Sequence, residues 1–215
     1  MVIMAVGFSP IDVEATSFGT LALLSEQGHK IVVVNLTSGR MPQGEKEARK
    51  LSLRRLGEGA RSSALIGSSY SALEFKEKEI KNHSEAVYKK LTTIVESLKP
   101  DVIFTHSESE TNENSTLVAT IVKKVIENKE IDLYQFDNVD GSNFAANVYV
   151  DISEVFEKKI EATVMHVSQV EFLHKTKELN IVHNVEVLAL YRGLQKRCRY
   201  AEAFYTKETA KHLFC

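Results

Sequence analysis

Three short runs dominate this chain: Val2–Val6, Ile31–Leu36 and Val102–Phe104. Each is rich in β-branched residues and apolar nearly throughout, without the alternation of a half-buried strand. Such runs suit strands covered on both faces, as in a parallel sheet. Longer segments with helical spacing separate them. Phe18, Leu21 and Leu24 share one helical face, and Gly28 stops that helix. Glu45–Leu56, Glu79–Leu98 and Thr116–Ile126 read as further helices with apolar stripes. The alternation predicts a doubly wound, Rossmann-like α/β fold: a three-layer sandwich around a mainly parallel central sheet. After it, Val148–Val150 reads as a strand, Ile152–Gln195 as mostly helical and Arg199–Phe204 as a final strand.

In such folds ligands sit outside the carboxyl ends of the strands. That rule selects the loops Gly7–Glu14, Thr37–Gly44 and Thr105–Ser115. The first lacks G-x-G-x-x-G, which argues against a dinucleotide site. The 215 residues, with only three prolines and no linker-like stretch, are expected to form one domain over 1–215. A net charge of -2 gives no bulk attraction to nucleic acid or an anionic membrane. No apolar stretch reaches the roughly 18 residues of a membrane span. The first residues read as a strand and not as a signal peptide, so a cytoplasmic protein is expected. Cys198 and Cys215 are expected to be free thiols.

Four segments carry a family resemblance. They are GHKIVVVNLTSGR, KPDVIFTH, ANVYVDISEVFEKKIEATVMHVSQ and RYAEAF. In order and spacing they resemble the PIG-L/LmbE family of sugar de-N-acetylases over nearly the whole chain. The resemblance implies a zinc-activated water that hydrolyses the acetamide of an N-acetylglucosamine conjugate. The family's first loop reads A-H-P-D-D-x-x-E or a near form. Its His and second Asp hold the metal, and its first Asp is the base. A later H-P-D-H supplies the third ligand from its second His, while its first His assists the oxyanion.

Carried onto this chain, the metal His falls at Ser9, the base at Ile11 and the metal Asp at Asp12. The oxyanion His falls at Asn112 and the other metal His at Ser115. Of these five positions only Asp12 keeps the family's residue. A catalytic zinc usually needs three protein ligands and an open position. Serine is a poor ligand beside imidazole, and isoleucine cannot accept a proton. Without a metal, water keeps a pKa of about 15.7 and is a weak nucleophile. The expectation is therefore a site with no metal and no cofactor, on a scaffold whose relatives use zinc.

Ser9, Asp12, Ser38, Arg40, Asn112 and Ser115 are expected to line a ligand pocket, with His106 and His166 near it. Both histidines match family positions outside the metal ligands and read first as hydrogen-bonded structural residues. They are also the candidates for any replacement chemistry, with Ser9 or Ser115 as nucleophile. Asp12, Glu14, Glu108, Glu110, Asn112 and Asn114 offer oxygens for a hard cation, against a plain solvated acidic loop. Three functions follow. One is a non-hydrolytic protein that binds a sugar-type ligand or, as a homo-oligomer or accessory subunit, supports a partner enzyme. Another is a hydrolase with an altered metal or catalytic site. The last is an active deacetylase with its metal site elsewhere in register.

Overall fold

The computed structural model describes all residues except 40–43, 110–111, 138, 140–143, 208–212 and 214–215, and the side chains of Glu74 and Glu79. In chain order the elements are β1 (Val2–Gly7), α1 (Asp12–Glu26), β2 (Lys30–Thr37), α2 (Glu45–Ala64) and β3 (Ser69–Phe75). A 3-10 turn (Glu77–His83), α3 (Ser84–Leu98), β4 (Val102–Thr105), α4 (Glu113–Ile126) and β5 (Asp132–Phe136) follow. The chain closes with β6 (Val148–Asp151), α5 (Phe156–Met165), α6 (Val167–Lys177), α7 (Ile181–Lys196) and β7 (Ala201–Tyr205).

Seven strands form one sheet in the order β3-β2-β1-β4-β5-β7-β6. The first five are parallel, and β7 runs antiparallel to both β5 and β6. The register explains the unbroken apolar runs. In β1, Ile3 and Ala5 face a core shared with α1 and α5, while Met4 and Val6 face another shared with α3 and α4. Both faces of the strand are dry, so no polar position is tolerated. Three layers result, as the sequence predicts.

Several boundaries differ from the sequence expectation. Helix α2 continues to Ala64 through Gly57 and Gly59. At Gly59 a Cβ would come within 2.4 Å of the Tyr70 ring on β3, so a bare backbone is what lets helix and strand close together. The helix expected over Glu79–Leu98 begins only at Ser84, because a 3-10 turn occupies the segment before it. Strands β3 and β5 were not expected. Their sequences, SYSALEF and DLYQF, carry too many polar residues to stand out as buried runs. Gly28 does end α1, with φ +83 just beyond the Gln27 cap. Among the described residues no helix is long and apolar enough to cross a membrane.

Candidate functional site

The carboxyl ends of β1 and β4 meet at Asp12, the first residue of α1. Asp12 Oδ2 accepts hydrogen bonds from the backbone N–H of Phe8 (3.0 Å) and Ser9 (2.8 Å). It also lies 3.2 Å from His106 Nε2, at the end of β4. The Phe8 N–H is 3.1 Å from the same ring nitrogen. The carboxylate thus ties down the turn that precedes its own helix and links it to the neighbouring strand. Thr37 at the end of β2 adds its backbone N–H and its hydroxyl to the Phe8 carbonyl.

Ile11 stands between these contacts with φ +89, in the left-handed region. For a β-branched side chain that conformation is an outlier and costs on the order of 1–2 kcal/mol. Strain of this kind persists only where surrounding contacts dictate it. Here the bonds to Phe8 and Ser9 on one side and the start of α1 on the other fix the backbone.

A cavity of about 350 Å³ opens at this point. Ser9, Ile11, Asp12, His106, Asn112 and Ser115 all line it, so the two loops from which the family's chemical groups would project converge here. Asn112 has a second task. Its side-chain oxygen accepts from the Asn114 N–H at 2.9 Å and caps α4.

Of the described residues expected to line the cavity, Ser38 alone is not in the lining. Ser38 is buried, and its hydroxyl accepts from Ser52 of α2 at 2.6 Å, because the chain after β2 turns beneath that helix. His166 lies deeper still, fully buried at the α5–α6 junction with Nε2 3.1 Å from Glu14 Oε1. Glu14 also accepts from Ser62 at 3.0 Å. Burial opposes the charge of Glu14, yet the imidazole beside it and the hydroxyl bond hold its carboxyl below the usual range. This pair supports the floor from behind. Arg40, Glu110, His212 and Cys215 lie outside the described residues.

The cavity also holds groups that loop-by-loop reading missed. Arg55 reaches in from α2 although it is only 1% exposed. Its Nη1 donates to the Gly39 carbonyl at 2.5 Å and its Nε to Ser168 Oγ at 3.4 Å. Its Nη2 finds no acceptor among the described residues. The 3-10 turn after β3 delivers Glu77, whose Oε1 accepts from Ser9 Oγ at 3.4 Å. Burial raises the Glu77 carboxyl; Arg55 opposes that shift and the nearby Asp12 charge adds to it. Gln169 and Lys177 of α6 complete the polar rim. A signal for Arg55 was present: an arginine three residues before Glu58, on a helix whose Gly59 lets it close against β3. Glu77 had none while β3 itself went unseen.

Comparison with known proteins places this arrangement. The chain is 28% identical over 205 residues to diacetylchitobiose deacetylase of Thermococcus kodakarensis, covering 86% of this chain and 74% of that protein. Among solved structures it resembles 4-carboxy-2-hydroxymuconate hydratase (GalB) of Pseudomonas putida, with TM-score 0.82, 18% identity and 99% of both chains covered. It also resembles the N,N'-diacetylchitobiose deacetylase of Pyrococcus horikoshii, with TM-score 0.81, 20% identity, and 96% of this chain and 83% of that one covered. These structural likenesses establish the fold, which accommodates both a deacetylase and a hydratase. Residues 10–126, more than half of the chain, match the family described as PIG-L, GlcNAc-PI de-N-acetylase, and this chain belongs to that family.

Proposed function

We propose that this PIG-L protein, as one domain over residues 1–215, binds a sugar-type ligand in the cavity at the strand ends without zinc-dependent hydrolysis. The observation that carries this reading is the donor set around Asp12. Ser9, Ile11 and Ser115 line the cavity where the family resemblance puts two metal ligands and the base. Oδ2 of the one retained carboxylate is already engaged by two backbone N–H groups. Among the described residues no three His, Cys, Asp or Glu side chains converge as a metal would require. These residues do not fit zinc. Among the described residues of the acidic loop the oxygens are engaged elsewhere: Asn112 caps a helix, Glu14 is buried against His166 and Glu108 pairs with Lys123.

What remains suits hydroxyl-rich ligands. Arg55 supplies a positive charge in the lining, Asp12 and Glu77 offer carboxyl oxygens, and Asn112 offers an amide. Convergent donors and acceptors of both kinds in a concave site are what a sugar ring needs. The relatives named as deacetylases of diacetylchitobiose support a sugar as the class.

The deciding experiment uses the purified chain and N,N'-diacetylchitobiose. Metal content is measured without added chelator, sugar binding by calorimetry, and amine release by a fluorogenic assay. Binding with no amine release and no stoichiometric zinc is expected. Amine release that a chelator abolishes and zinc restores would overturn the zinc-free reading. Absence of any sugar binding would remove the ligand.

A second reading, an enzyme with altered chemistry, draws on Glu77. A carboxyl with a raised pKa beside the Ser9 hydroxyl is a candidate proton donor. Turnover that chelators leave untouched and Glu77→Gln abolishes would favour it.

For the partner we infer self-association through α7, which is apolar on two opposite faces. Ile181, Val185 and Ala189 are buried against the domain. Val187, Leu190, Tyr191 and Leu194 are exposed on the other side.

A further inference from the structure

One half of the cavity wall is polar, and the other half has a different origin. Ile11, Ala15, Leu173 and Ile181 form an apolar cluster separate from the two large cores, with Phe172 and Leu179 half-buried against it. All six line the cavity. The cluster joins the start of α1 to α6 and to the first residue of α7, so three separate elements converge on one apolar surface.

Position 11 shows that this surface is more than leftover core. Its backbone, at φ +89, suits asparagine, aspartate or glycine far better than isoleucine. The branched side chain is held there against that preference, and it is 3% exposed at the cavity floor. Ile11 covers the boundary between the Asp12–Glu77–Arg55 side and the Leu173–Leu179 side. A polar residue at that point would break the apolar wall where it meets the polar groups.

We propose that the ligand is amphipathic: a hydroxylated head held by Asp12, Glu77, Arg55 and Asn112, and an apolar substituent laid on the wall of Ile11, Leu173 and Leu179. The substituent is an alkyl, acyl or aromatic group attached to the sugar. This inference rests on the reading of the cavity as a sugar site and specifies the class of sugar derivative. Apolar contact rewards each methylene that leaves water, whereas a fully polar sugar would leave half of the wall wet.

The test is a calorimetric series of methyl, butyl and hexyl N-acetyl-β-glucosaminides, each kept below its micellar concentration. Affinity is expected to rise about threefold to fourfold for each added methylene that reaches the wall, then to level off. Leu179→Ser alters a half-buried position in the short α6–α7 connection. It is expected to flatten this dependence on chain length, so that the hexyl and methyl glycosides bind with nearly the same affinity. Phe172→Ala is the second variant, should Leu179→Ser fail to fold. Equal affinity across the series in the native protein overturns the inference and leaves the sugar reading standing. So does a length dependence that survives both variants. If no glycoside binds, the sugar reading falls and this inference falls with it.

Discussion

Glu77 shows how one half-buried carboxyl shapes the whole pocket. It is delivered by a 3-10 turn, receives the Ser9 hydroxyl at 3.4 Å and faces both Arg55 and Asp12. Burial dominates over the attraction of Arg55, so its pKa in the folded protein lies above the ordinary carboxylate value of 4.5. The folded state therefore binds the proton more tightly than the unfolded state does. Stability from this group is fully present below about pH 4.5 and is lost as pH rises through the raised folded value. Glu77→Gln removes that loss. In thermal melts from pH 4 to 8, the variant is expected to gain on the native protein steadily as pH rises and to show no such gain at the acid end. A difference that is constant with pH would mean that folding leaves the Glu77 pKa unshifted. Glu14, equally near the site, behaves oppositely. Its lowered carboxyl contributes stability above about pH 4.5 that is lost as pH falls through its folded value.

Among the elements, α4 connects site and scaffold most directly. Its cap, Asn112, accepts from the Asn114 N–H and also lines the cavity. Asn112→Ala is expected to cost about 1 kcal/mol in urea unfolding, while Asn112→Asp retains the cap and most of the stability. Equal losses in both variants would show that the amide nitrogen matters more than the cap. What could be read from sequence follows the same physical division. β1, β2 and β4 were visible because both their faces are dry, and the helices because apolar residues recur on one face. β3 pairs only with β2 at the sheet edge, and Tyr70 on it serves Asn35 and the Gly59 surface, so no apolar run marks it. The site divided likewise. Ser9, Asp12, Asn112 and Ser115 sit in the loops that follow visible strands or in the first turn of the helices those loops lead into. Arg55 lies inside a helix whose charged letters read as a solvated face, although the side chain is almost wholly buried. Ser38 and His166 occupy expected positions in the chain but point into packing behind the cavity, which only the path of α2 and α5 decides.

At the scale of the whole molecule, the proposed self-association makes α7 the surface through which copies of the chain would meet. Over its 16 residues one face packs Ile181, Val185 and Ala189 inward. The opposite face shows Val187, Leu190, Tyr191 and Leu194, at the i, i+3, i+4, i+7 spacing of a single stripe, with Leu194 78% exposed. A helix apolar on both sides belongs in an interior, and on the proposed reading a second molecule supplies the missing side. Charge selects the partner and its orientation. Glu186 flanks the stripe towards its amino end, and the exposed Lys196 and Arg197 follow its carboxyl end. Two copies of α7 packed antiparallel set the acidic end of one against the basic end of the other, whereas parallel packing opposes like charges. The antiparallel arrangement is a closed two-fold dimer, in which Leu190 and Tyr191 meet their own copies near the axis. Light scattering on the eluting native protein is expected to give twice the chain mass. Leu194→Glu places a charge at the most exposed position of the stripe, opposite Val187 of the second copy, and is expected to weaken the dimer about thirtyfold or more. Glu186→Arg is expected to weaken it as well, and combination with Lys196→Glu and Arg197→Glu to restore it. A native protein that elutes as a monomer would refute the dimer. So would a dimer that Leu194→Glu leaves intact, since its contact surface must then lie elsewhere.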